Sequence, residues 1–169
     1  MSQKIRQIRI EGNLAYVPLT QGYEAIIDAA DVPLVEGFNW CASVAGNRVY
    51  AVRGVVLDGK AATIWMHRVI MSPPDHVLVD HRDGDGMNNR RKNLRIATKT
   101  QNNRNTRKGK NNTSGFKGVS WDGWHGKWRA FITVDRKRHT LGCHSTAEEA
   151  HAAYCEASAR LHGEFGRTE

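Results

Sequence analysis

The residue types best suited to chemistry lie in the middle of the chain, where Asp80 and His81 are adjacent. Asn93 follows His81 by 12 residues, and Asn102 follows Asn93 by 9. An imidazole, whose ordinary pKa is about 6.5, can take a proton from water near neutral pH. Carboxylate and amide oxygens are hard donors, which favour Mg²⁺ or Mn²⁺ over Zn²⁺. These four residues could therefore combine a base with a divalent cation.

For these groups to meet, the chain must fold back around the Gly- and Asp-rich loop that follows His81. The apolar residues 77–79 predict a short strand leading into that loop, and residues 93–96 predict an extended return. Thr98 predicts the N-cap of a helix from residue 99 to about 105. Strand, loop, strand and helix form a ββα unit, in which the helix would pack against the first strand and bring two oxygen donors beside the imidazole.

The preceding residues 1–75 predict a β-rich part of an α+β fold. Alternating and apolar runs predict several strands there, including a hairpin whose second strand covers residues 48–57. A short helix is predicted for residues 28–36, with Asp28 as its N-cap. A second short helix is predicted for residues 66–71, and it should end there because two prolines follow.

The residues that follow the ββα unit predict a linker and a compact module. Residues 107–114 are basic and rich in asparagine, with no apolar side chain, and predict a mobile linker. Residues 115–169 predict three strands and one amphipathic helix, in which Thr146 and Glu149 form a capping box. The expected arrangement is a small three-stranded antiparallel sheet packed on one helix.

The net charge of +8 is concentrated in one segment. Residues 1–85 hold 8 basic and 10 acidic residues, and residues 122–169 hold 7 of each. Between Asp85 and Asp122 there are ten basic residues and no acidic one. This segment predicts binding to a polyanion, with a solvated linker as the alternative. The DNA contacts expected at its centre are Arg104, Arg107, Lys108 and Lys110.

Several classes of protein are excluded by the composition. The three cysteines are scattered and form no CxxC, so neither a disulfide framework nor a zinc ribbon is expected. Cys143 and Cys155 are predicted to be small core residues. No apolar run is long enough to span a membrane, and the first residues lack the apolar run of a signal peptide. We expect a cytoplasmic protein with no membrane partner.

The motifs MHRVIM, VDHRDGDGMNNRRKNLRIAT and TQNNRN resemble the HNH endonucleases of phages and bacteria. The resemblance is to the ββα-metal (His-Me finger) variant in which asparagine replaces the last metal-binding histidine. It implies that His81 is the general base, that Asp80 and Asn102 hold one Mg²⁺ or Mn²⁺ ion, and that Asn93 orients the base and ties the loop. Asn103 is the neighbouring alternative to Asn102. His67 occupies a position where the family often has a histidine.

The segment SGFKGVSWDGWHGKWRAFITVDRKRHTLGCHS and the helix after it resemble the DNA-binding domain of plant APETALA and ethylene-response factors. In that family the sheet lies in the major groove. Ser120 and Asp122 fall approximately where the plant module has arginines, so a different target sequence is expected. Trp121 or Trp128 has a second interpretation, as a core residue. The DNA contacts implied by the resemblance are Lys117, Ser120, Trp121, Trp124, Lys127, Trp128 and Arg129.

Together these features predict a metal-dependent endonuclease of double-stranded DNA, of the homing or phage type, acting in a bacterial or phage-infected cell. Residues 1–75 and 76–106 would form the nuclease, residues 107–114 the linker and residues 115–169 the DNA-binding domain. One metal site cuts one strand, so a double-strand break needs a homodimer or two sequential cuts. The alternatives are a DNA-binding regulator with an inactive nuclease and an RNA-binding protein.

Overall fold

The computed structural model describes residues 4–109 and 111–168. The chain forms two compact units, of which the first ends at Ala97 and the second begins at Thr98. Both units consist of small antiparallel sheets and helices, which confirms the prediction of a mixed fold. Among the described residues, no helix is long and apolar enough to cross a membrane.

The described part of the first unit contains three small antiparallel sheets. β1, β2 and β3 form one sheet, β4, β5 and β6 a second, and β7 pairs with β8. The second sheet contains the predicted hairpin, whose central strand runs from Arg48 to Leu57. The strands are β1 (Arg9–Glu11), β2 (Leu14–Pro18), β3 (Glu24–Asp28), β4 (Cys41–Ala45), β5 (Arg48–Leu57), β6 (Lys60–Trp65), β7 (Leu78–His81) and β8 (Leu94–Ala97).

Two short helices complete the first unit. α2 (Met66–Met71) has the predicted bounds. The helix predicted for residues 28–36 is wrong in extent, since a 3₁₀ turn comes first and α1 covers only Val32–Val35. Asp28 occupies the N-cap position of that turn, but its side chain accepts no capping hydrogen bond. That carboxylate instead receives hydrogen bonds from residues distant in the sequence, described below.

The core of the first unit supports β7 and β8. Trp40 is 1% exposed, and its indole N–H donates to the carbonyl of Val35 at 2.9 Å. Val79 of β7 and Leu94 of β8 belong to the same core, so burial of their side chains fixes the strand that ends at residue 81. The other members of this core are Ala15, Val17, Leu19, Ala25, Ile27, Val35, Ala51, Met66 and Ile70.

The second unit begins with a short helix and continues as a sheet covered by a longer helix. Its elements are α3 (Lys99–Arg104), β9 (Val119–Asp122), β10 (Lys127–Val134), β11 (Lys137–His144) and α4 (Ala147–His162). The strands lie in the order β11-β10-β9, and both strand pairs are antiparallel. Both predicted N-caps are present as capping boxes, Thr98 with Gln101 and Thr146 with Glu149.

Small side chains let α4 lie close to the sheet. Ala147 and Ala150 of α4 pack with Val119 and Ala130, and Tyr154 packs with Ile132. Cys143, predicted as a core residue, is exposed, since the register pairs it with Arg129 on the face away from α4.

Residues of the predicted linker are hydrogen-bonded within the second unit. The Lys108 ammonium donates to the carbonyl of Gly115 at 2.6 Å, and Asn112 donates to the carbonyl of Phe116 at 2.8 Å. Ser114 donates to the carbonyl of Val119 at 2.9 Å. Lys110 lies outside the described residues. Several side chains of the predicted linker thus have partners within the second unit. The linker boundaries stay a prediction.

Candidate active site and nucleic-acid interface

Asp80 and His81 end β7, and both side chains are buried. The register of β7 and β8 places Asp80 opposite Arg95. The Arg95 guanidinium donates to one carboxylate oxygen of Asp80, from Nε at 2.8 Å and from Nη2 at 2.7 Å. Because each buried charge offsets the desolvation of the other, this pair holds the Asp80 carboxylate in a defined position.

The side chain of Asn89, which is fully buried, orients the His81 imidazole. Asn89 Nδ2 donates to the carbonyls of Gly86 at 3.2 Å and Met87 at 3.1 Å, so Oδ1 faces His81 Nε2 at 3.3 Å. An amide oxygen only accepts hydrogen bonds, so we assign the proton of the neutral imidazole to Nε2 and the lone pair to Nδ1. Sequence reasoning missed Asn89. The adjacent Asn88-Asn89 pair was a signal, but it does not tell which amide turns inward.

Asn93 ties the loop between β7 and β8, as the resemblance implies. Its Nδ2 donates to the Asp83 carboxylate at 2.9 Å and to the carbonyl of Asn88 at 2.7 Å. Its Oδ1 accepts from the backbone N–H of Asp83 at 3.1 Å. Burial alone would raise the pKa of Asp83, but hydrogen bonds from Asp85, Asn93 and Asn88 hold it below its ordinary value. Asn93 thus closes the loop, while the described contact to the base comes from Asn89.

Gly86 allows the same loop to lie against β5. A Cβ atom at this position would be 2.3 Å from the carbonyl oxygen of Val49 and 2.5 Å from the ring of Tyr50. Carbon atoms do not approach that closely without displacing a neighbour, so only glycine fits here. The contact joins the loop to Tyr50, whose ring centroid is 5.9 Å from that of His81.

Rings from β5 and α2 pack against His81, and the Trp65 ring of β6 packs against them. The His67 ring is 5.1 Å from that of His81 and nearly perpendicular to it, and Tyr50 and Trp65 pack against His67. Burial lowers the pKa of His67 to about 3, with smaller contributions from His81 and Arg68. Burial also lowers the pKa of His81, although its contact with Asn89 acts in the opposite direction. The lowered pKa favours the neutral form of His81, which is the form that accepts a proton.

Part of the basic segment is neutralised inside the first unit. Arg90 donates to Asp28 at 3.0 Å, and the backbone N–H of Arg91 donates to the same carboxylate at 2.9 Å. The Arg91 guanidinium holds both oxygens of Asp31, at 2.7 to 3.1 Å. With Arg95 bound to Asp80 and Arg104 3.6 Å from Asp135 in the second unit, four of the ten basic residues have acidic partners. The charge count alone therefore overstated the positive charge available to a polyanion.

Asn102 and Asn103 lie on α3 in the second unit. Asn102 is half-buried, whereas Asn103 is exposed and lines a cleft of that unit. The assignment of Asn102 as a metal ligand stays a prediction. Within the described residues, no group of three or more His, Cys, Asp or Glu side chains could hold a metal ion. The predicted donors, one carboxylate and one amide, would not count as such a group, because asparagine is not one of these four residue types.

The sheet of the second unit exposes one polar face. Ser120 pairs with Arg129, and Asp122 pairs with Lys127, so these four residues share the face opposite to α4. The Asp122 carboxylate binds the Arg129 guanidinium and accepts from His125 Nδ1 at 2.8 Å. The pKa of Asp122 is lowered, first by the hydrogen bond with His125. The predicted contacts Ser120, Lys127 and Arg129 are thus together on an exposed surface.

The three tryptophans of this unit have different environments. Trp128 packs against the core of the unit, and its ring centroid is 5.1 Å from that of Trp121. Trp121 pairs with Trp128 on the α4 side of the sheet and is 52% exposed. Trp124 lies in the turn between β9 and β10 and is 91% exposed. The core interpretation therefore holds for Trp128, whereas Trp124 is the tryptophan most accessible to a partner.

The predicted contact Lys117 has internal partners instead. Its ammonium donates to the carbonyl of Arg104 at 2.8 Å and to that of Thr106 at 2.7 Å. Burial lowers the pKa of Lys117 to about 8, with a contribution from the charge of Arg167. Lys117 therefore does not share the exposed face that carries Ser120, Lys127 and Arg129, and its role as a DNA contact stays a prediction. Arg107 is exposed.

Comparisons with known proteins match both parts of the chain. The HNH endonuclease family model matches residues 65–104, which include β7, β8 and α3. The AP2 domain model matches residues 114–164, which include the sheet of the second unit and α4. No solved structure matches. The chain thus carries an HNH endonuclease domain followed by an AP2 domain.

A curated relative covers much of the same sequence. Protein 3.8 of Escherichia phage T7 is 35% identical over 94 residues, which are 56% of this chain and 77% of the phage protein. The chain belongs to the family of this phage protein. Its HNH domain suggests nuclease activity, and both domains imply DNA binding.

Proposed function

We propose that this chain is a metal-dependent endonuclease that hydrolyses phosphodiester bonds in duplex DNA, of the phage or homing type. One observation carries the proposal. His81 is buried and held through Nε2 by Asn89, at the end of the strand that also carries Asp80. A neutral imidazole in this tautomer carries its basic lone pair on Nδ1.

His81 would act as the general base and Asn93 as the residue that shapes its loop. Hydrolysis needs water to lose a proton as it attacks phosphorus, and a neutral imidazole can accept that proton at Nδ1. The rings of His67 and Tyr50 pack against the imidazole and limit its rotation, and its burial favours the neutral form. Asn93 keeps the loop closed, so Asn89 stays at 3.3 Å from the ring.

Asp80 and Asn102 would hold the divalent cation, for which Mg²⁺ or Mn²⁺ fits best. Both provide oxygen donors, which suit hard cations, and water and phosphate oxygens would complete the coordination. When bound, the cation would neutralise charge on the phosphate and on the leaving oxygen. Arg95 occupies one oxygen of Asp80 and would keep the carboxylate oriented.

The second unit would anchor the duplex. Its exposed face presents Ser120, Lys127 and Arg129, which suit contacts with phosphates and base edges. A tethered DNA-binding module raises the local concentration of the nuclease on DNA that is already held. The similarity to a phage protein supports a phage or bacterial setting.

A plasmid cleavage assay with Mg²⁺ tests the proposal. We expect His81→Ala to lose about 10²- to 10⁴-fold in cleavage rate while DNA affinity is retained, because the base acts in the transition state. His76→Ala is the matched control, since His76 is an exposed histidine of the same unit. An unchanged rate in His81→Ala would remove His81 from the mechanism.

A second candidate is a DNA-binding regulator whose nuclease is inactive. It is favoured by the ion pair between Asp80 and Arg95, which engages the carboxylate that a cation would need. Wild-type protein that binds duplex DNA but cuts it with neither Mg²⁺ nor Mn²⁺ would support this candidate over the nuclease.

A further inference from the structure

The second unit contains a cleft of ≈ 660 Å³ that is lined by α3, β10, the turn after β10 and α4. Buried Ile132 and Tyr154 contribute apolar surface to the cleft. Cationic side chains give the cleft its positive charge. They are Lys99, Arg104, Lys117 and Arg136.

The positive charge of the cleft is poorly compensated. Its one acidic lining residue among those described is Asp135, whose side chain is 80% exposed and lies 3.6 Å from Arg104. His162 also lines the cleft, and Arg104 and Lys117 add to the effect of burial in lowering its pKa. Like charges held together at a partly buried surface repel one another, and a bound anion relieves that repulsion.

One wall of the cleft is fixed by the fold. The Lys117 ammonium donates to the carbonyls of Arg104 and Thr106, which fixes the end of α3 beside the segment that leads into β9. Gly118 follows with φ +74°, and a Cβ there would be 2.2 Å from the Tyr154 ring. A larger residue would therefore disturb the packing of Tyr154, which lines the cleft.

The size and chemistry of the cleft indicate its ligand. Its volume is within the range of about 300–1,000 Å³ of sites that enclose organic ligands, and is larger than a simple anion needs. Apolar surface with cationic groups around it matches a nucleotide unit, whose sugar and base are largely apolar on their faces and whose phosphate is anionic. Lys127 and Arg129 of the exposed sheet face do not line it.

We infer that this cleft binds a sugar-phosphate segment of DNA, with the phosphate at Lys99, Arg104 and Arg136 and the sugar or base near Tyr154. The second unit then has two DNA-binding surfaces, the exposed face of its sheet and this cleft. The inference rests on the proposed function, in which the chain binds duplex DNA. It adds a separate surface that the sheet face does not include.

The test is the salt dependence of DNA affinity in the full chain. Lys99→Gln with Arg136→Gln removes two exposed cations of the cleft, and no described side-chain hydrogen bond involves either residue. The control pair is Lys60→Gln with Arg160→Gln, which makes the same charge change at exposed positions outside the cleft. Fluorescence anisotropy with a short labelled duplex gives the dissociation constant between about 50 and 200 mM KCl.

We expect the cleft variant to weaken binding and to flatten the slope of log K against log salt by up to about 1.8, at about 0.9 for each phosphate that is no longer neutralised. The control pair should retain most of the slope. Equal affinities and slopes in the two variants would overturn the inference. If Arg129→Gln weakens binding while the cleft variant does not, the cleft fails and the proposed function stands. Wild-type protein without duplex affinity would refute both.

A second arm separates DNA from free phosphate as the source of the anion. Millimolar inorganic phosphate or a mononucleotide is added during thermal unfolding of wild-type protein and the cleft variant. We expect little stabilisation by either small anion, because a DNA segment brings several contacts at once. Strong stabilisation of wild type alone, with an unchanged salt slope for DNA, would assign the cleft to a free anion and overturn the inference.

Discussion

Replacing Gly86 with alanine should damage both the stability and the activity of the first unit. The added Cβ would lie 2.3 Å from the carbonyl oxygen of Val49 and 2.5 Å from the Tyr50 ring. Overpacking a close-packed site costs about 1–3 kcal/mol, and the upper end applies here because a backbone oxygen cannot move aside. For a unit of about 100 residues, 3 kcal/mol lowers the melting temperature by about 12–24 °C.

The activity should fall because the loop and Tyr50 both help to hold His81. A displacement of about 1 Å in a catalytic group costs on the order of 10²-fold in rate, so we expect a loss of that size in cleavage, measured below both melting temperatures. Gly54→Ala is the matched control, since Gly54 lies on β5 with nothing within 4 Å of its Cβ position. Calorimetry on both variants gives the melting temperatures. A Gly86→Ala midpoint within about 4 °C of the control would refute the packing argument.

Three further outcomes are expected. Because the pKa of His67 is about 3 when folded and near 6.5 when unfolded, the unfolding free energy should fall as the pH drops from 6.5 to 3. In denaturant titrations, His67→Gln should reduce the slope of the unfolding free energy against pH by at most about 1.4 kcal/mol per pH unit. Asn102→Ala should abolish Mg²⁺-dependent cleavage while Asn103→Ala cuts normally, and the reverse would move the predicted ligand by one residue. Trp128→Ala should destabilise the second unit by about 3 kcal/mol in thermal unfolding, whereas Trp124→Ala should change stability by under about 0.5 kcal/mol and weaken duplex binding.

The distribution of charge illustrates how a fold changes the meaning of a sequence pattern. Ten basic residues without an acidic one predict a continuous positive segment. Folding brings Asp28 and Asp31 to Arg90 and Arg91, because residues about 60 positions apart meet in the first unit. Such pairs form only in three dimensions, so a count along the chain could not find them.

Local signals were sufficient for much of the secondary structure. The capping boxes at Thr98 and Thr146 depend on side chains three residues apart, and both are present. The alternation of residues 127–134 predicts the strand that is observed as β10. Asp80-His81 could be selected because few residue types provide a base and a hard ligand side by side.

Tertiary structure alone decided which groups surround those residues. Asn89 faces His81 because the loop turns its amide inward against two carbonyls. The sequence alone does not distinguish Asn89 from the neighbouring Asn88 in this respect. Lys117 was predicted to contact DNA, and in the structure its ammonium donates hydrogen bonds to two backbone carbonyls. In both cases the sequence determined the chemical type of the side chain, and burial determined its partner, because a buried polar group must be satisfied by whatever the fold brings within reach.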